Sequence, residues 1–270
     1  MPFYCTWLDG WLGWSNPPSW SINLKSILFW LYQIYAWLFF IPLALILTLL
    51  AGWMVVLVSW LISSRFANRY VAQPWAKLLA WLTPMPVTVE GAENADPGRS
   101  YVVVANHVSQ FDILALYGWL DLDLKWVIKK EIRNIPGVGI GCEKAGHIFV
   151  DRKNPEQARK AVNSATGGLH GGVGILFFAE GTRSLDGRLL RFKKGAFRIA
   201  LSEQLPVLPV TLLGTGEVLP SNTMRLFPGR VKIIIHPPIA PLEDSAHNLL
   251  ELMTQTRNTI ASSLPEGFRG

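Results

Sequence analysis

Between Lys25 and Arg65 the chain carries no charged residue, and Ile27 to Ile62 is dominated by Leu, Ile, Val, Phe and Trp. Soluble cores seldom hold so long a run, so this stretch is expected to enter a membrane. A bilayer core takes about 20 helical residues, and the run is nearly twice that, so one perpendicular span would leave apolar turns in water. Two helices are therefore expected. Pro42 is one candidate break, because proline removes an intrahelical bond, and Ala51-Gly52 is another, because glycine loosens a helix; one tilted span with an interfacial extension is the alternative. Tryptophans at 20, 30, 37, 53 and 60 fit rings that settle between headgroups and acyl chains. The segment starts too late and runs too long for a cleavable signal. Arg65, Arg69 and Lys77 follow it while Lys25 alone precedes it, which predicts a membrane protein, in a bacterium of the inner membrane, whose larger part faces the cytoplasm.

Beyond this anchor the pattern changes to short apolar runs alternating with helical ones. Strands are expected at 87–90, 101–105, 125–128, 147–150, 173–179, 207–213 and 231–236, and helices at 111–120, 155–169, 194–204 and about 244–263. That alternation predicts an α/β fold, a mixed sheet covered by helices. With Pro84 to Pro86 as the joint, residues 1–84 form the membrane-anchoring region and residues 85–270 the catalytic domain. The chain shows no internal repeat, long linker or low-complexity tract.

Two polar runs each follow an apolar, strand-like segment. Asn106-His107-Val108-Ser109-Gln110-Phe111-Asp112 follows Tyr101 to Ala105, and Glu180-Gly181-Thr182-Arg183 follows Val173 to Ala179. Open α/β sheets bind ligands at the carboxyl ends of their strands. A turn after the first strand could fold Asp112 onto the His107 ring, fixing its tautomer and stabilising the imidazolium formed when the ring takes a proton, as a general base requires. Ser109-x-x-Asp112 also reads as a helix-start capping pattern, and the two readings can coexist. In the second run Gly181 permits a tight turn with exposed amides, and Arg183 offers a planar fork for a phosphate. Arg191, Lys193, Lys194 and Arg198 follow at once. A basic run is most often a solvated face; beside Arg183 it reads as an anionic pocket.

These residues resemble the glycerolipid acyltransferases typified by 1-acyl-sn-glycerol-3-phosphate acyltransferase, whose pattern is N-H-x-x-x-x-D followed by E-G-T-R. The likeness extends to Lys129-Lys130-Glu131, to Gly146-His147-Ile148-Phe149-Val150-Asp151-Arg152, to Phe192-Lys193-Lys194-Gly195 and to Leu208-Pro209-Val210, and spans roughly Pro86 to Ile239. One departure is Ala179, where the family usually has proline; that bears on loop rigidity rather than on chemistry. The resemblance implies catalysis by His107 with Asp112. It further implies an acceptor pocket built by Glu180, Gly181, Thr182, Arg183, Lys130 and Lys193, with Asn106 and Ser109 shaping the histidine's turn. The implied reaction moves a fatty acyl group from an acyl thioester, of coenzyme A or of acyl carrier protein, to the sn-2 hydroxyl of lysophosphatidic acid, giving phosphatidic acid. The anchor would let the site meet membrane lipids at the surface.

A formal net charge of +6 and a pI near 9.4 suit nucleic acid, an anionic membrane or phosphorylated substrates. No recognition-helix, zinc-finger or aromatic RNA-binding pattern occurs, so no nucleic-acid partner is expected. Cys5 and Cys142 flank the apolar segment, which excludes a disulfide framework, and Cys142 reads as a packed small residue. Gly137, Gly139 and Gly141 lack the strand and acidic residue of a dinucleotide site. The 5 histidines are scattered, so neither metal nor cofactor is expected. No G-x-S-x-G elbow occurs, which favours direct transfer over an acyl-serine intermediate. Two rival readings are acylation of a lyso-aminolipid or of glycerol 3-phosphate, and a non-catalytic membrane lipid-binding protein; the latter predicts a disrupted histidine–aspartate pair.

Overall fold

The computed structural model describes residues 21–151, 157, 161–162, 171–241 and 243–270. The expected helix at 155–169 and Trp20 lie outside the described residues, apart from single positions in the former.

The apolar run folds as one continuous helical rod rather than two. It comprises α1 (Ser21–Tyr35), a π-helical turn (Ala36–Phe40) and α2 (Ile41–Leu61). Of this rod, Ser26–Leu61 is long and apolar enough to cross a membrane. Neither proposed break occurs, for separate physical reasons. At Pro42 the helix absorbs the proline by widening first: the Ile41 amide reaches back to the Ala36 carbonyl, one residue further than in an α-helix, so the missing proline N–H falls just after the wide turn. The same device recurs where Gln73 bonds the Asn68 carbonyl ahead of Pro74. Gly52 is a site of close approach, because a Cβ there would lie 2.5 Å from the Gly137 carbonyl oxygen.

The true break comes at Ile62 and Ser63, where the Ser63 hydroxyl caps the next turn through the Phe66 amide. A second helical segment, α3 (Ser64–Ala67), a π-turn (Asn68–Ala72) and α4 (Gln73–Leu82), then runs back along the first. Trp75 Nε1 donates to Thr48 Oγ1 and the Tyr35 hydroxyl to the Leu82 carbonyl, an antiparallel pairing. The region before Pro84 thus has two helical segments, with their boundary at Ile62 and Ser63, ten residues after Gly52 and twenty after Pro42, the positions that glycine and proline propensity suggested.

All seven expected strands are present: β1 (Val87–Glu90), β2 (Tyr101–Ala105), β3 (Asp123–Lys129), β4 (Ile148–Val150), β5 (Val173–Phe178), β6 (Val207–Leu213) and β7 (Val231–Ile235). They form one mixed sheet of order β1-β7-β6-β2-β5-β3-β4, parallel throughout except at β6–β7. Strand β2 is buried along its whole length, as a central parallel strand must be, and its side chains alternate between two apolar cores. Tyr101, Val103 and Ala105 join one core with α5 (Phe111–Trp119) and the helical pair, through Ala36, Phe40, Val55, Ala76 and Leu79. Val102 and Val104 join the other with Phe197 and Ala200 of α7 (Gly195–Ser202) and Leu252 and Ile260 of α9 (Ala246–Ser262). Two further short helices are α6 (Val138–Lys144) and α8 (Thr215–Val218). Helix α6 is not among the helices expected from the sequence, and its glycines disfavour one. Those glycines let α2 and α6 meet: a Cβ on Gly141 would lie 2.9 Å from Gly52 Cα.

Candidate active site

Because β2 and β5 are parallel neighbours with Ala105 opposite Phe178, the two polar runs leave the same sheet edge side by side. His107 comes two residues past its strand and Glu180 two past its own. Asn106 manages the departure. Its side-chain amide accepts from the Leu212 N–H at 2.7 Å and donates to the Leu212 carbonyl at 3.0 Å, so the side chain continues the ladder to β6 while the main chain turns away.

The turn that follows is organised by Asp112, which is fully buried in the first turn of α5. Its Oδ2 accepts from His107 Nδ1 at 2.7 Å, from the Val108 amide at 2.8 Å and from the Ser109 amide at 2.9 Å. One oxygen therefore both caps the turn and orients the His107 ring. With Nδ1 committed to a carboxylate, the ring presents Nε2 as the acceptor. The imidazole lies flat on Phe178, centroids 3.7 Å apart and planes 9° from parallel, and its side chain keeps 15% exposure. A ring so held, open at one nitrogen, can take a proton from a hydroxyl brought within hydrogen-bond reach.

Glu180 does not point outward. It is 3% exposed, and its two oxygens accept from the His107 amide at 2.7 Å and the Leu190 amide at 2.8 Å. Burial raises its pKa to about 7 against these hydrogen bonds, which favour the ionised form. The carboxylate clamps the histidine turn to the loop 181–194. That loop is also tied by the Ser184 amide to the His107 carbonyl at 2.8 Å and by the Lys193 amide to the Ala179 carbonyl at 2.7 Å. Arg183 thereby sits one residue from a direct bond to the His107 backbone. It is half-buried and has no acidic partner among the described residues, and neither have the exposed Arg191, Lys193, Lys194 and Arg198. Gly181 has φ of +74°, a left-handed backbone that suits glycine, and the Lys193 ammonium would lie 2.5 Å from a Cβ there. The Lys193 ammonium thus lies against the turn that follows Glu180, and Arg183 leaves the same loop next to Ser184, an arrangement suited to an anion next to a hydroxyl.

The remaining expected residues fall elsewhere. Thr182 is exposed on the loop. Lys130, past the end of β3, pairs with Asp151 at 2.5 Å; the ion pair raises its pKa, and it is not brought against His107. Ser109 donates to the Leu219 carbonyl and accepts from the Phe111 amide, both within the turn's support. Cys142 is half-buried and burial pushes its thiol up to about 11, the opposite of an activated nucleophile. The sequence reading missed the Phe178 platform, the Leu190 amide and Ser184; strand register alone brings these to His107, and no local pattern announces it. A cavity of about 460 Å³ lined by Arg65, Asn68, Arg69, Tyr117 and Asp123 opens at the opposite, amino-terminal edge and has no part in this geometry.

The acyltransferase family model matches residues 86–213. The chain is 35% identical over 251 residues to a 1-acyl-sn-glycerol-3-phosphate acyltransferase of Chlamydomonas reinhardtii, covering 92% of this chain and 72% of that one. It is 32% identical over 205 residues to an enzyme of the same name from Limnanthes alba, covering 74% and 72%. With the alpha form from Ovis aries it shares 32% over 162 residues, 60% of this chain and 56% of the relative. The crystal structure of the Thermotoga maritima 1-acyl-sn-glycerophosphate acyltransferase PlsC superposes with a TM-score of 0.63 at 29% identity, covering 82% of this chain and 94% of that one.

Proposed function

The chain belongs to the 1-acyl-sn-glycerol-3-phosphate acyltransferase family, and from that premise we propose that it transfers a fatty acyl group from an acyl thioester to the sn-2 hydroxyl of lysophosphatidic acid. The observation that carries the reading is the intact His107–Asp112 pair, open at Nε2, in a loop pairing that also carries Arg183, which has no acidic partner among the described residues. Nε2 takes the hydroxyl proton as the oxygen attacks the thioester carbonyl. The tetrahedral intermediate collapses, the carbon–sulfur bond breaks, and the imidazolium returns its proton to the departing thiolate. The Asp112 carboxylate, bonded to Nδ1, stabilises the imidazolium between these steps. Arg183, with Lys193, holds the acceptor phosphate, and Glu180 and Asn106 keep the two loops in register. Either coenzyme A or a carrier protein suits the donor side, since each presents a phosphopantetheine thioester with negative charge.

Membrane association follows from the exposed apolar rod. Trp30, Leu38, Leu45, Leu50, Trp53 and Trp60 are each more than half exposed. A single stripe faces the protein: Gln33, Ala36, Phe40 and Val55 are buried, with Ala44, Leu47 and Val58 packed against the same core. Contacts with the catalytic domain thus run from Phe29 to beyond Gly52, about 35 Å of helix at 1.5 Å per residue. A rod touched by the domain over that distance beds lengthwise into one leaflet more readily than it crosses the bilayer. On this reading Trp60 and Trp81 sit at the interface, while the cytoplasmic placement of the catalytic domain rests on the flanking charges Arg65, Arg69 and Lys77. Arg65 and Arg69, counted above as orienting charges, also serve the fold, by bonding the Gly171 carbonyl and Asp121.

The test is acyl transfer by detergent-purified protein from a labelled acyl thioester to lysophosphatidic acid, beside His107→Ala and beside a lysolipid lacking the terminal phosphate. Turnover that requires both His107 and the phosphate is the expected result. Full activity in folded His107→Ala sinks the base assignment, and indifference to the phosphate moves the acceptor to another lysolipid.

A further inference from the structure

One stretch of chain joins the apolar rod to the histidine turn without entering the chemistry above. At the site end, Ser221 Oγ donates to the Val108 carbonyl at 2.8 Å and Ser109 Oγ donates to the Leu219 carbonyl at 2.8 Å. These bonds hold the two residues that follow His107, whose amides in turn hold Asp112. At the helix end, Gln33 Nε2 donates to the Leu226 carbonyl at 2.7 Å, and Phe29 and Phe227 stack with centroids 5.7 Å apart. The Phe227 amide donates to the Val218 carbonyl at 2.9 Å, closing the segment into a loop whose two ends cannot shift independently. Leu226, 3% exposed, lies in the core that contains Ala36 and Phe40 of the rod.

Gln33 is the telling residue. It is 6% exposed within the uncharged stretch Ser26–Leu61 of the rod, and its Oε1 has no hydrogen-bond partner among the described residues. A buried amide that satisfies only one of its ends is costly, and a rod that did no more than hold lipid would gain by leucine at this position. What the amide adds is a directional bond, and with it a fixed register between rod and loop.

We propose that residues 219–227 form a strap through which the N-terminal rod positions the catalytic histidine turn, with Gln33 as the positioning residue. The proposal rests on the reading of His107 as the base. Seating the rod in lipid then sets the placement of the Val108 and Ser109 amides, and so of Asp112 and the ring; misplacement of such a group by about 1 Å is enough to slow the chemical step.

The experiment uses the full chain in vesicles of phosphatidylglycerol and phosphatidylethanolamine, and compares kcat and KM for wild type, Gln33→Leu, Ser221→Ala and the double variant. Gln33→Leu should lower kcat about fivefold, the rate equivalent of one neutral hydrogen bond, with KM for lysophosphatidic acid changed less than about twofold. Ser221→Ala should do likewise, and the double variant should be no slower than the slower single, since both cut one strap. Thr48→Val removes a bond from the same rod to Trp75, away from the strap, and should leave kcat unchanged. Phe227→Leu reads the helix end again should Gln33→Leu fail to fold, with the same fall in kcat expected. Wild-type kcat in a folded helix-end variant, additive losses in the double variant, or an equal loss in Thr48→Val overturns the proposal. His107→Ala in parallel separates the failures: activity there removes the base assignment and the strap with it, whereas an inactive His107→Ala beside a fully active Gln33→Leu removes the strap alone.

Discussion

Asp112→Asn tests the site most directly, because the substitution keeps shape while removing charge. In the wild type one oxygen accepts three hydrogen bonds, from His107 Nδ1 and the Val108 and Ser109 amides, while Oδ1 is buried with no donor among the described residues. The two backbone amides require an acceptor, so the asparagine carbonyl takes the Oδ2 place and the NH2 group falls where Oδ1 was. The turn survives, at a cost of about 1–3 kcal/mol for a buried donor without a partner. The larger loss is kinetic. When the ring takes a proton, wild type sets an imidazolium beside a buried carboxylate, worth about 4 kcal/mol at ~4 Å and an effective dielectric near 20. The variant offers only a neutral dipole, so the barrier rises by most of that and kcat falls about a thousandfold at 1.36 kcal/mol per decade, with KM for the acceptor nearly unchanged. Steady-state acyl transfer read with thermal unfolding measures both parts. A folded Asp112→Asn protein within about tenfold of wild-type kcat would show that the pair does not carry the proton transfer.

Arg183→Ala should raise KM for lysophosphatidic acid about 10- to 100-fold, the loss of a charge-assisted pair, while barely changing the weak turnover of a phosphate-free lysolipid; a parallel loss on both acceptors would remove Arg183 from the phosphate site. Glu180 has a native pKa near 7 against an ordinary 4.5, so between those values the folded state binds more protons than the unfolded chain and stability falls as pH rises through that window. Denaturant melts at pH 5 and pH 8 should show this loss in wild type and a flatter profile in Glu180→Gln. Gly52→Ala drives a methyl against the Gly137 carbonyl and should cost about 1–3 kcal/mol by overpacking, whereas Gly195→Ala, with nothing within 4 Å of its Cβ, should change the melting midpoint little; equal effects would refute the close α2–α6 contact.

The strands and the histidine–aspartate pair were legible in the sequence because each depends on neighbours along the chain. A parallel strand buried on both faces must be continuously apolar, which is why Tyr101–Ala105 stands out at its full length. A histidine and an aspartate five residues apart need only one turn to meet. Everything that depended on distant partners had to wait for the tertiary structure. Helix α6 forms from a glycine-rich stretch because α2 packs against it, and Gly52, a helix breaker by propensity, is retained within α2 because a side chain there would strike the Gly137 carbonyl. Pro42 is accommodated by a wide turn that no local pattern requires. Glu180, which looked like an acceptor ligand, became a clamp only once the β2–β5 register set it opposite the His107 amide. Local sequence therefore determined the chemical groups and the edge of the sheet from which they emerge. Which of them face a substrate and which hold the others in place was decided by strand register and helix packing, because hydrogen bonds and close contacts form between whatever atoms the fold brings together, however far apart along the chain.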